Sequence, residues 1–392
     1  MTIPSTHWSK DRKSFGYNIP DDLQCNTLGD VQSELAGAGL EVERGETQVI
    51  IPQEDAGGIC VGSIVKFPNG DLVAGTRSAQ VRSTDGAKSW SKVNTLFSNY
   101  SCNLSDSETV QFVRRDGLSC DAAPPNEKSD LEGFTKSFGW LVRSRDNGLT
   151  EELEQIDIHV PEKMKLSAMS HARILELRDG SLLGIDYARW EDDPVVVFES
   201  SVSKNGTIYN RDLPKNRIFA FHSTDRGKNW TYLSTVAFDL SRNNRTTLGG
   251  FTEPDAVILP NGEVLAFMRS VGGGGIRPLR MSRSNDAGNT WSMPLPVADR
   301  GVMPVATVME SGVVVVIYGR PYNWLMFSAD DGDTWVGHFQ FYHGPKAWDA
   351  WNYCAVEEVA PDTLLAVYGN ADSNDIKEGE MLGTFFTVKH KG

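Results

Sequence analysis

The sequence has no apolar run long enough to cross a membrane; the longest, Val313 to Tyr318, is the length of a strand. Cysteine is scarce: five in 392 residues (Cys25, Cys60, Cys102, Cys120 and Cys354), with no spacing that would ligate a metal. An odd number excludes complete intramolecular pairing. Cys102 and Cys120 could bridge a loop, and free buried thiols are the simpler reading. Basic charge is also short, 38 Lys and Arg against 52 Asp and Glu, and the resulting net charge of −14 speaks against a nucleic-acid surface. Met1 to Arg12 lacks the apolar segment of a secretory signal. The Asn-x-Ser/Thr sequons at Asn99, Asn103, Asn205, Asn229 and Asn244 nevertheless hint at a secreted protein, so an extracellular location is the expectation. The 3.6-residue period of a helical solenoid is missing as well.

What the chain has instead is one phrase, repeated. An apolar strand, a turn with Gly or Asp and a second apolar strand are followed by a turn of the pattern Ser-x-Asp-x-Gly-x-Thr-Trp, the Asp-box. The hairpins run from Ser63 to Arg77, Arg173 to Arg189, Glu253 to Arg269, Pro304 to Arg320 and Tyr353 to Asn370. The Asp-boxes run from Ser83 to Trp90, Ser144 to Thr150, Ser223 to Trp230, Ser284 to Trp291 and Ser328 to Trp335, with Ala87 replacing the glycine of the first and Glu151 the tryptophan of the second. Repeats of this kind predict an all-β fold, a six-bladed β-propeller of residues 46–392. Residues 1–45 are expected to form an arm packed on it, with a short helix near Asp21 to Ala36. The second blade, roughly Glu108 to Thr150, is the least regular. The strand Val49 to Pro52 is expected to complete the last blade and close the ring. In the boxes, Ser and Asp hydrogen-bond the turn backbone, Gly supplies a positive φ and Trp fills the gap between sheets; they identify the fold and leave the chemistry open.

In a propeller the first strands of all blades begin at one mouth of the central channel. Counting back nine residues from each hairpin turn gives Glu253, His171 and Tyr353, together with Met303 and Val61. The paired strands end at Arg77, Arg189, Arg269 and Arg320. One opening thus collects an acid, an imidazole, a phenol and up to four arginines, a basic pocket on an acidic protein, suited to an anionic small ligand such as a carboxylated sugar. Plainer readings exist for each. Glu253 with Arg269 makes a cross-hairpin ion pair, Tyr353 a channel-lining core residue, His171 a buried and satisfied histidine. Trp190, Trp324, Trp348 and Trp351 either stack on sugar faces or pack between blades.

At Glu253-Pro254 with Arg269, at Arg320-Pro321-Tyr322-Asn323-Trp324 leading into the fifth Asp-box, and at Asn352-Tyr353-Cys354-Ala355-Val356, the chain resembles the sialidase (neuraminidase) superfamily over about residues 46–390. The resemblance implies an exo-acting, retaining glycoside hydrolase that needs no metal or organic cofactor and acts as a monomer on a glycan. It implies Tyr353 as nucleophile, Glu253 as its base, and Arg269 and Arg320 as two arginines of a carboxylate clamp, with Arg189 or Arg77 helping. A phenol of pKa about 10 needs a base beside it, and a neutral nucleophile avoids repulsion by the sugar carboxylate. The chain departs from the family where Cys60 stands in place of the first clamp arginine, and where Arg77 runs almost directly into Ser83, leaving no loop for the acid/base aspartate. Asp192, Asp193 or Glu191, or Asp106 or Asp349, is left to supply that acid, with His171 as acid/base or substrate contact. Arabinan- or uronate-directed hydrolases and lyases, working through Glu253 and a second carboxylate, share such a fold. So does a non-catalytic carbohydrate-binding propeller.

Overall fold

The computed structural model describes residues 24–56, 62–76, 79–113, 127–166, 172–193, 196–202, 208–241, 247, 249–271, 277–320, 322–343, 353–371 and 379–391. Within them the chain is all-β, and antiparallel pairing sorts its main strands into six groups of four. The first sheet holds Ser63–Lys66, Leu72–Gly75, Gln80–Ser83 and Ser91–Val93. The second holds Cys102–Asn103, Thr109–Val113, Phe134–Ser144 and Glu152–Pro161. The third holds Arg173–Glu176, Leu182–Trp190, Asn216–Ser223 and Asn229–Ala237. The fourth holds Gly250–Ile258, Val264–Val271, Leu279–Ser284 and Leu295–Ala298. The fifth holds Val302–Val308, Val314–Gly319, Asn323–Ser328 and Val336–Tyr342.

The sixth sheet takes three strands from the end of the chain, Ala355–Ala360, Thr363–Ala371 and Gly379–His390, and its outermost from near the beginning, Leu40–Ile51. That strand is longer than the stretch expected at Val49 and crosses the expected boundary at residue 45. The helix of the N-terminal segment is Gln32–Gly37, whose Leu35 packs on the fifth sheet at Gly337. The irregular second sheet begins at Cys102, ahead of the expected Glu108, because its first strand is only two residues long.

Among the described residues strand pairing does not close these sheets into one ring, although short parallel bridges at Asp157–Asn229 and Asn216–Gly250 link the second, third and fourth. Packing runs further round. Separate apolar clusters join the first sheet to the second, the second to the third, the third to the fourth and the fourth to the fifth. The largest joins the fifth, sixth and first. First strands of all six sheets also line one cavity of about 250 Å³.

The Asp-boxes hold the outer turns as their residue types require. In the third, Ser223 Oγ donates to Asp225 Oδ1 at 2.9 Å and accepts from the Gly227 amide at 2.9 Å. Asp225 accepts from the Lys228 and Asn229 amides at 3.1 and 2.9 Å. Trp230 is fully buried against Phe112 of the neighbouring sheet, ring centroids 4.7 Å apart, and donates to Gly227 O at 2.8 Å. The box glycine also lies where a side chain would collide: a Cβ on Gly332 would come within 2.6 Å of Leu265 Cδ1. At the first box Ala87 takes this place with φ 67°, its methyl group buried in the large cluster.

Candidate active site

Glu253 and Tyr353, one hundred residues apart, meet at the entrance to the fourth and sixth sheets. The Tyr353 hydroxyl donates to Glu253 Oε1 at 2.9 Å. Arg269, on the paired strand of the Glu253 hairpin, donates to the same oxygen at 2.8 Å. The other oxygen, Oε2, accepts the Met303 amide of the fifth sheet at 3.1 Å. The Arg320 guanidinium lies over the Tyr353 ring, 5.1 Å from its centroid, and the Gly62 amide of the first sheet holds the Tyr353 carbonyl at 3.0 Å. Four of the expected residues, Glu253, Tyr353, Arg269 and Arg320, therefore converge, with Met303 beside them.

The backbone at this cluster is unusual. Glu253, Met303 and Arg320 have φ of 50°, 47° and 54°, a left-handed conformation that side-chain-bearing residues adopt at a cost. Each is followed in the sequence by a proline. Proline disfavours a right-handed helical conformation in the residue before it and brings no N–H to the strand ladder. Strand register duly slips between Thr252 and Asp255 and between Val302 and Val305. Such bulges re-aim side chains, and the Glu253 carboxylate and the Met303 amide meet here across two sheets.

Electrostatics set the protonation states. Burial pushes the Tyr353 phenol well above its ordinary value, and the Glu253 carboxylate pushes it further, while Arg320 and Arg269 pull it back. Tyr353 is thus neutral at physiological pH, with its proton directed at a carboxylate. Beneath it sits a second buried phenol, Tyr100, in one cluster with Met303 and Tyr353. Burial and the carboxylates of Asp255 and Glu253 raise Tyr100 as well. Asp255, fully buried, accepts from Arg173 at 2.5 and 2.9 Å and from the Ala306 amide at 2.7 Å, tying the third, fourth and fifth sheets together under the site.

Sequence reasoning missed this lower layer, although its signal was present. Tyr100, Arg173 and Asp255 each stand seven residues before a hairpin turn residue of positive φ (Ser107, Gly180, Gly262), one inward step below Glu253. Tyr100 escaped because it lies ahead of Glu108, the expected start of the second sheet.

Arg189 ends the second strand of the third sheet, half-buried and in register with Asn216 and Lys165. Asp192 is on the exposed turn beyond it, ion-paired with Lys163, whose hydrogen bond holds the carboxyl below the usual range. That is the ionised state, the wrong one for giving up a proton. The other candidate acids are paired too: Glu191 with Lys165 at 3.1 Å, Asp193 with Arg217 at 2.6 Å and Asp106 with Arg226 at 2.7 Å. His171, Arg77 and Asp349 lie outside the described residues, as do Trp348 and Trp351. Trp324 is no sugar platform: it is 3% exposed, stacked on Tyr318 and capped by Arg300. Trp190 likewise packs on Phe219 and Tyr232.

Comparison with known proteins adds the family. A family model described as a BNR repeat-like domain matches residues 126–360. Among curated proteins none matches the chain. Solved structures share its fold: a protein of unknown function from Dyadobacter fermentans (18% identity, 89% of this chain and 99% of that one, TM-score 0.62) and an alpha-L-arabinanase of Penicillium chrysogenum solved with arabinobiose (14%, 87% and 98%, TM-score 0.54). The NanB sialidase of Streptococcus pneumoniae is a third (10%, 88% and 70%, TM-score 0.52). With the model spanning more than half of the chain, this protein belongs to the BNR repeat-like family, and it shares its fold with the arabinanase and the sialidase.

Proposed function

We propose that this protein is an exo-acting, retaining glycoside hydrolase, built as a six-bladed propeller, that removes a terminal acidic sugar from extracellular glycans. The six four-stranded groups, the apolar clusters that follow one another around them and the shared cavity support the architecture. The observation that carries the chemistry is the hydrogen bond from Tyr353 to Glu253. As the phenolic oxygen attacks the anomeric carbon, its proton passes to Glu253 Oε1 while the bond to the leaving oxygen breaks and that oxygen takes a proton from solvent. Water then attacks the anomeric carbon and gives its proton to solvent, while the tyrosyl–sugar bond breaks and Glu253 returns its proton to the phenolate. Arg320 over the ring lowers the cost of the charge that develops on the phenol. Arg269 and Arg320, both at the cluster, would bind the sugar carboxylate.

A second reading has a specific observation in its favour. Arg269 is tied to Glu253, as a purely structural pair would be, and a neutral sugar such as arabinose needs no carboxylate clamp. Replacing Arg320 by Met separates the two. On the first reading kcat/KM falls at least a hundredfold on aryl sialosides or uronides. If the enzyme turns over aryl arabinosides instead, and Arg320→Met leaves that rate within a few-fold, the acidic-sugar reading is wrong.

A further inference from the structure

One exposed apolar feature stands at the same end of the sheets as the candidate site and is held too firmly to be incidental. Phe238 and Leu240 follow the last strand of the third sheet, and each is 45% exposed. The residue between them turns inward: Asp239 lies 3.3 Å from the ammonium of Lys215, a lysine only 1% exposed that also donates to Ser241 O at 2.6 Å. Asp239 accepts further bonds from the Ser241 amide at 2.8 Å and from Thr247 Oγ1. This buried ion-paired network fixes the segment while leaving two large apolar side chains in solvent. Burying a lysine is costly, so the segment's conformation is strongly specified.

The ring of Phe238 is itself backed. The Arg217 guanidinium lies 5.4 Å from its centroid and 5.8 Å from that of Trp190. Buried Asp193 holds Arg217 through Nε and Nη2 at 3.0 and 2.6 Å. The inner face of Phe238 is therefore covered by a neutralised, immobilised cation. Its place on the rim follows from the strand register. Ala237 pairs with Ile218, next to Arg217, and Asn216 on the other side of Arg217 bridges Gly250, three residues before Glu253. Arg217 is on the third strand and Phe238 follows the fourth, two to three strand spacings from the innermost strand, or roughly 10–15 Å. That distance suits a sugar unit beyond the one being cleaved. A rigid aromatic face offers stacking area at little entropic cost.

We propose that Phe238, with Leu240 beside it and Arg217 behind it, is a stacking platform for a second or third sugar of an oligosaccharide substrate, so that the enzyme selects chains over isolated terminal sugars. This rests on the glycoside-hydrolase reading. The test measures binding to the Tyr353→Phe variant by calorimetry, with sialyl- and arabino-oligosaccharides of two to four sugars and the methyl glycosides of their terminal sugars. Wild-type turnover is assayed in parallel. Adding Phe238→Ala should raise the Kd of the oligosaccharide at least tenfold and that of the methyl glycoside less than twofold. Phe238→Tyr, which keeps the ring, should restore the wild-type Kd. Oligosaccharide binding within twofold of the parent after Phe238→Ala, or equal weakening of both ligands, overturns the platform while leaving the hydrolase reading intact. No saccharide bound or hydrolysed by any form of the protein overturns both.

Discussion

The Asp-box turns at the outside of the sheets and the rim around Glu253 are assembled in opposite ways. In a box, partners lie two to four residues apart: Ser223 with Asp225, Gly227 with Ser223, Asn229 with Asp225. Each glycine or alanine sits in the left-handed conformation that the turn demands, and the same bonds recur in box after box. At the rim, partners lie 16, 50 and 100 residues apart, the last two pairs from different sheets. The left-handed residues there carry large side chains and each precedes a proline, but their hydrogen-bond partners differ from one to the next. Repetition serves the scaffold, where local hydrogen bonds specify a turn cheaply. The single, strained and long-range arrangement is kept for one place, which is where strain commonly marks function.

The comparison can be broken most sharply at Tyr353. Tyr353→Phe should cut kcat by at least three orders of magnitude, since removal of a nucleophile leaves only binding and electrostatics, while thermal unfolding moves by no more than a few degrees. An equal loss of folded protein would make Tyr353 part of the scaffold. The converse experiment is at a box. Asp225→Ala leaves the Asn229 and Lys228 amides without their acceptor. Stability should fall by about 2 kcal/mol, seen as a lower denaturant midpoint, with kcat of the folded enzyme unchanged. A kcat that falls with it would mean that box and rim are coupled.

A subtler contrast lies between two glycines of similar φ. Gly312, at 84°, has open space where a Cβ would go, whereas Gly332, at 83°, faces Leu265. Gly332→Ala should cost about 1 kcal/mol more than Gly312→Ala in chemical denaturation, through packing alone. Equal costs would show that the box glycines serve conformation only.

The smallest effect is expected in the cavity under the rim. Burial pushes the Glu357 carboxyl up to about 7, against the pull of Lys66 and Arg173. A group whose value rises on folding is most favourable when protonated. Its contribution is complete below about pH 4.5 and is lost as pH climbs through 7. Glu357→Gln should therefore raise Tm by a few degrees at pH 8 and leave it nearly unchanged at pH 4.5. A gain that is the same at both values would remove titration of Glu357 from the account.

The fold was legible because its signals are local. Ser-x-Asp-x-Gly-x-Thr-Trp and the paired apolar runs each specify a turn or a hairpin without reference to the rest of the chain. Glu253, Tyr353, Arg269 and Arg320 were legible too, because equal hairpin lengths place equivalent residues at equivalent heights. Tyr100 was not: the two-residue strand at Cys102 is too short to show an apolar alternation. Neither were the bulges at Glu253 and Met303, although the prolines that follow them were in view. For Trp190 and Trp324 the sequence leaves open whether they face sugar or pack between sheets; they are packed, since burial depends on neighbours from other parts of the chain. The ion pairs of Glu191, Asp192 and Asp193 are invisible to spacing for the same reason.

The central claim, that Tyr353 attacks with Glu253 as its base, is tested most directly by trapping. The protein would be incubated with fluorinated glycosyl fluorides of sialic acid, of a uronic acid and of arabinose, then digested and the labelled peptide mapped by mass spectrometry. The account predicts a sugar adduct on Tyr353, formed by the wild type and absent from Glu253→Gln over the same interval. A stable adduct on a glutamate or aspartate, with Tyr353 unmodified, would contradict it.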